Sequence, residues 1–328
     1  MATYLGTHGS RIQNYTTDPD NPNTGEVWYN STANTIKIEA VTTTGSWATG
    51  GTLNQVRDQA AGSGTTTSTL VFGGGPPNKA QTEKYNGTNW TEVADLNTAR
   101  RGLAGAGADN TSALAFGGGT PKTGGTEAWN NTSWTAVNPL NTARYFLGGV
   151  GVKTAALAFG GTEDPSPNTA KTEKWNGTNW TEVADLNTVR SGITGAGVVN
   201  SALAFGGTPP STVTGATESW NETCWTTVNP LNTAKVGSGG AGASNTSALA
   251  FGGGVINPGA PPPTVSSTKT EEWNGTNWSE TTDLSVSRAY IAGSGTQTAA
   301  LASGGSDKNN TEQWTGPGSP QVRTINTD

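Results

Sequence analysis

The chain has 328 residues, 13% of them charged, and a net charge of −6; with no basic cluster, nucleic acid is not expected as a partner. One Cys, Cys224, rules out an internal disulfide framework and a Cys-based metal site, and one His, His8, leaves no His triad or His metal cluster. Gly is 47 of 328, a composition open to disorder, but eleven of the 12 Trp recur at regular positions and can support a packed domain, since a buried aromatic contributes roughly 1.5–3 kcal/mol.

Residues 1–45 differ from the rest. The start, MATYLGTHGS, has neither a charged leader nor an apolar run and does not read as a signal peptide. No stretch of eighteen apolar residues follows, so no helix is expected to insert in a membrane. The turn-rich connector YTTDPDNPNTGE leads into GEVWYNSTANTIKIEA, which reads as two short strands joined by a polar turn, with alternation in IKI. We read 1–45 as an attachment module; an extra ribbon packed on the following domain is the alternative.

From Trp47 onward one unit is written six times. Trp47, Trp90, Trp134, Trp180, Trp225 and Trp278 are each followed ten residues later by a base: Arg57, Arg100, Arg144, Arg190, Lys235 and Arg288. Fifteen or sixteen residues on comes Phe-Gly-Gly, led by Phe72, Phe116, Phe159, Phe205 and Phe251, with Ser303 in the last copy. A Thr-Glu pair then precedes Tyr85, Trp129, Trp175, Trp220, Trp273 and Trp314. A period of about 45 residues lies in the range of four-stranded propeller blades. The Gly/Ala-rich segment opening at the base (RSGITGAGV) is strand A, small enough for a crowded centre. SALAFGG is strand B, TEKW strand C and WTEVA strand D, with C and D joined by the Asn-Gly turn NGTN. The Asn-x-Ser/Thr triplets at Asn86 and Asn176 recur because this turn recurs, and Cys224 is a substitution within one copy of it.

The apolar strand ending in Gly-Gly, the aromatic, the Trp and the small/basic pair, as in SALAFGG, TEKWNGTNW and LNTVRSGITGAG, resemble the kelch family over residues 47–314. The five-residue gap from aromatic to Trp is tighter than the usual kelch gap. The resemblance implies an all-β, six-bladed propeller over 46–328. The lone strand at Trp47 can complete the last blade, which starts its C strand before Trp314 and lacks a D strand; QVRTI near the C-terminus is the competing candidate. The Trp47 reading is preferred, because its spacing to Arg57 matches the other five copies.

Strand polarity places the B–C loops and D–A links on one face. From the Phe (or Ser303) to the Glu the steps are 11, 11, 14, 13, 20 and 9 residues, whereas the Trp-to-base spacing is constant. The longest segment, 252–270, is Pro-rich. Variable loops on a rigid scaffold suit recognition, and both tails are expected opposite them. The six bases are candidate ligand-binding residues, a ring at the central opening of the variable face for a sugar acid or phosphate. The alternative is a structural bridge in each blade to Glu83, Glu127, Glu173, Glu218, Glu271 or Glu312. No catalytic residue, metal site or cofactor is expected, although 24 acids leave a glycosidase-like carboxylate pair open.

The prefix YLGTHGSRIQNYTTDPDNPNTGEVWYNSTANTIKI is similar to N-terminal segments of structural proteins of marine tailed phages, and GSWATGGTLN followed by ALAFGG-type repeats is similar to their propeller proteins. This resemblance implies a virion component, assembled in the host cytoplasm. The function expected from it is a tail- or fibre-associated head that docks to other virion proteins through 1–45 and binds host glycan through its B–C loops. A capsid or tail decoration protein and a carbohydrate-active enzyme are the alternatives.

Overall fold

The computed structural model describes residues 12–19, 25–41, 44–119, 121–165, 167–210, 212–256, 264–318 and 320–325. It divides into two units: Ser46–Trp314, and Met1–Gly45 with Thr315–Asp328.

The larger unit is a six-bladed β-propeller. Each blade is a four-stranded sheet whose strands run in the order A, B, C, D from the centre outward. Blade 4 is typical: Thr194–Val198, Ser201–Phe205, Thr217–Trp220 and Trp225–Val228, all antiparallel. The sequence dictates the layering. Strand B is buried on both sides in every blade, so it carries the apolar run Ala-Leu-Ala-Phe or its equivalent. Strand D is the outer edge, and beyond its Trp it turns polar residues to solvent.

The centre explains the glycines. A Cβ on Gly195 would lie 2.7 Å from the Phe159 ring of the preceding blade, and one on Gly293 would lie 2.5 Å from the Gly240 carbonyl. Inner strands converge too closely for a side chain there.

Aromatic latches join the blades. Trp180, on strand D of blade 3, packs 4.9 Å from Phe116 of blade 2 and donates Nε1–H to Thr126 Oγ1 of the same blade. Trp134, Trp225 and Trp278 repeat both contacts one blade on. Each latch therefore satisfies the indole N–H while burying the ring.

Blade 6 consists of Ala292–Gly295, Ala299–Ser303 and Thr311–Thr315, with Ser46–Thr49 as its outer strand. Trp47 lies 5.0 Å from Phe251 and 5.3 Å from Trp314, and donates to Thr270 Oγ1 at 3.2 Å. The Gly50 N–H bonds to the Thr311 carbonyl while Trp47 lies against Trp314, so the two outer strands run antiparallel. Ser46 and Trp314 both lie on the face of the short A–B and C–D turns. Those C–D turns are held as expected: the Oδ1 atoms of Asn86, Asn130, Asn176, Asn221 and Asn274 each accept two backbone N–H groups from the turn ahead.

The smaller unit is a second four-stranded sheet in the order Gln13–Tyr15, Val27–Asn30, Thr35–Val41, Pro320–Ile325. The middle pair is the expected hairpin. Trp28 is fully buried, and Asp18 Oδ1 in the connector accepts bonds from its indole and from Asn30 Nδ2. The boundary read from sequence, 46–328, needs correction at its end. Pro320–Ile325 pairs with Thr35–Val41, because the fourth position of blade 6 is already filled by Ser46–Thr49.

Candidate functional site

The six repeated bases do not line an opening. Arg57, Arg100, Arg144, Arg190, Lys235 and Arg288 are all at most 1% exposed. Each is paired to the Glu of its own blade, at 2.8 Å for Arg57–Glu83, 2.9 Å for Arg100–Glu127, 3.0 Å for Arg144–Glu173, 2.8 Å for Arg190–Glu218, 3.2 Å for Lys235–Glu271 and 2.7 Å for Arg288–Glu312. Burial pushes Arg100, Arg144, Arg190, Lys235 and Arg288 below their usual pKa, and the paired Glu pulls each back. A basic ring for a sugar acid or phosphate is therefore absent at these residues.

Their role is legible in the remaining bonds. Arg144 Nη1 donates to the carbonyls of Gly160 and Lys171, the two roots of its B–C loop. Arg57, Arg100, Arg190 and Arg288 hold both roots in the same way. Lys235, with a shorter reach of donors, holds one. The second Glu oxygen is engaged too. Glu173 Oε2 accepts the backbone N–H and Nδ2 of Asn141, whose Nδ2 also donates to the Trp180 carbonyl. Asn54, Asn97, Asn187 and Asn232 repeat this; Ser285 keeps only the backbone bond. The recurring Leu-Asn signal stands in the sequence, but its role was not read there.

This clamp fixes the loop roots and leaves loop length free. The longest B–C segment uses that freedom: Gly254–Ile256 pairs antiparallel with Thr264–Ser266 as a ribbon, with Ile256 and Val265 exposed. Residues 257–263, which contain its prolines, lie outside the described residues.

The central mouth on this face is built by residues just after each base. Strand A begins four residues beyond the base, later than the sequence reading placed it. The second residue after each base adopts left-handed backbone in all six blades: Gln59, Gly102, Phe146, Gly192, Gly237 and Tyr290, with φ from 55° to 62°. These six residues form a closed ring of backbone hydrogen bonds of 2.5 to 3.3 Å, each N–H donating to the carbonyl of the preceding blade. A non-glycine residue in this conformation costs roughly 1–2 kcal/mol, so Gly is the natural choice.

Three blades depart from it. Phe146 and Tyr290 come from opposite blades, and their rings meet across the mouth, 5.5 Å between centroids. Tyr145 extends the group, 4.4 Å from Phe146, with Lys122 Nζ 5.3 Å from the Tyr145 centroid. The rings occupy space left by glycines: a Cβ on Gly237 would lie 2.5 Å from the Tyr290 ring and one on Gly102 3.1 Å from that of Phe146. A pocket of about 90 Å³ lies here, lined by Gln59, Phe146, Tyr290, Leu103, Ile193 and Ser238 among others.

Acidic groups flank the aromatics. Burial, and then the neighbouring Asp307, push the Asp58 carboxyl up to about 6, although bonds from Gln59 and Ser306 oppose this. Burial, Asp58 and Tyr145 raise Tyr290. Between 3.8 and about 6 the folded protein binds more protons at Asp58 than the unfolded chain, so stability is lost as pH rises through that window. Asp58→Asn is therefore expected to raise the melting temperature at pH 7.5, by about 2 °C, with the gain gone by pH 4. Scanning calorimetry at the two pH values checks this; an equal gain at both would refute the assignment.

The fold has a counterpart among solved structures. The chain matches the structure of YjhT with a TM-score of 0.65 and 14% identity, over 84% of this chain and 99% of that one. No family model matches the sequence, and no curated protein matches it. At this identity the likeness concerns the fold alone. Among the described residues, no group of three or more His, Cys, Asp or Glu stands ready to hold a metal.

Proposed function

We propose that this chain is a non-catalytic recognition head of a tailed-phage virion, joined to other virion proteins through residues 1–45 and binding host-surface glycan with its B–C-loop face. The observation that carries the reading is where six-fold symmetry breaks. Buried Glu–base–Asn clamps, Trp latches and C–D turns repeat around the ring, while the B–C loops and the mouth beside them differ from blade to blade. A fixed scaffold with interchangeable loops is how binding surfaces are usually built. The kelch-like anchors and the phage-like prefix give the context. Weak single contacts suffice where many copies act together.

The test is adsorption of the labelled full-length protein to candidate bacterial hosts, beside a variant with 255–265 replaced by a short Gly-Ser turn. The cut falls beyond the clamped roots, so the blade should survive. Binding by the full chain and a tenfold or greater loss in the variant supports the reading. If neither binds cells while the full chain still associates with its own particles, decoration is the better account.

A further inference from the structure

We propose that the mouth of the propeller is a subsite for a pyranose ring without an acidic group, stacked on Phe146 and Tyr290 and held by the Gln59 side chain and the Tyr290 hydroxyl. This deepens the glycan-binding reading above and rests on it.

The argument uses the protein as its own control. Gly102, Gly192 and Gly237 complete the same ring of backbone bonds in the same conformation. The fold at this position therefore needs no side chain, and glycine adopts the backbone without strain. Yet opposite blades place Phe and Tyr there, partly exposed, with their rings meeting over the axis. Bulky residues in left-handed conformation are rare, and where they persist they gather at functional sites. Here Gln59, Phe146 and Tyr290 lie on one ring, and all three line the same pocket.

The chemistry of the lining selects the ligand. Aromatic faces are negative at their centres and favour the C–H face of a sugar over an anion. The polar atoms nearby add acceptors. Gln59 lines the pocket, and its Oε1 has no partner among the described residues; the neighbouring Asp58, ionised near neutral pH, disfavours an anion. The six repeated bases are buried and paired, and no Arg or Lys lines the pocket. A group rich in O–H donors, with an apolar face and no carboxylate, meets both demands. Lys122 does not reverse this, because it is turned to the Tyr145 ring and the Glu163 carbonyl.

Saturation-transfer NMR on the full chain tests the site, with the methyl glycosides of glucose, galactose, mannose and N-acetylglucosamine against those of glucuronic acid and sialic acid. At least one glycoside of the first group should take up saturation on its ring C–H protons, and the acids should not. In Phe146→Gly/Tyr290→Gly that signal should fall at least tenfold. The variant installs the residue found at three equivalent positions, so it should fold as well as the parent, and its melting temperature verifies that. No signal from any non-acidic glycoside, an equal signal in the folded variant, or stronger binding of the acids overturns the proposal. Cell adsorption that survives the double substitution would leave the recognition head standing and remove this subsite. Sugar binding here without adsorption would do the reverse.

Discussion

Glu173→Ala is expected to destabilise the protein by about 3–5 kcal/mol, the cost of leaving a buried charge without its partner. The pair is at most 1% exposed, and Glu173 does two jobs there. One oxygen faces Arg144 at 3.0 Å; the other accepts the Asn141 backbone N–H at 2.7 Å and its side-chain amide at 2.9 Å. Alanine leaves a guanidinium buried away from solvent without its partner and strips two donors in the D–A link of an acceptor. Arg144 would still hold Gly160 and Lys171, so the charge stays where it is. The partly exposed pair Lys171–Glu163 in the same blade is the comparison. Lys171→Ala should cost under about 1 kcal/mol, because solvent screens an accessible pair. Urea denaturation of both variants decides the matter. A loss below about 1 kcal/mol for Glu173→Ala would mean that the clamp is dispensable.

That clamp marks how far the sequence could be read. The anchors Trp180, Arg190, Phe205 and Trp220 recur with fixed spacing, because each makes the same contact in every blade, and periodic contacts leave periodic residues. Blade number and strand order followed from them. Side-chain direction did not. A base just ahead of a central strand is compatible with pointing to the axis or with turning back into the blade, and spacing does not distinguish the two. Burial decided it, since Arg190 is completely enclosed and bonded to Glu218, Gly206 and Ala216. The side chains that do line the mouth, Gln59, Phe146 and Tyr290, stand two residues after a base, in the stretch that the sequence pattern assigns to strand A. Their left-handed backbone is a tertiary feature, imposed by the ring of six carbonyls, and aromatic residues give no local hint of it. The last strand, Pro320–Ile325, escaped for a related reason: extended residues do not announce which sheet edge they join.

Removing residues 1–50 is expected to open the ring. Blade 6 would keep three strands, and the Thr311–Thr315 edge would lose its partner. An exposed strand edge next to uncovered aromatic surface is a site for pairing with another chain. The truncated protein should therefore associate in light scattering and melt at least about 10 °C lower. Truncation also removes three strands of the smaller unit, so Trp47→Ala in the full chain is the sharper test. It deletes the ring against Phe251 and Trp314 and the bond to Thr270. A buried Trp-to-Ala change costs about 3–5 kcal/mol, and Trp47, being only half-buried, should sit near 3. Against a net stability of the order of 5–15 kcal/mol, that loss is large for one residue at the end of a strand. Its effect should also be cooperative, because Trp47 latches blade 6 to blade 5. A synthetic peptide covering 44–52, added in trans to the truncated protein, should restore part of the melting temperature and suppress association. If truncation changes neither property, the ring is held by its four other latches, and the strand at Ser46–Thr49 is only a cover.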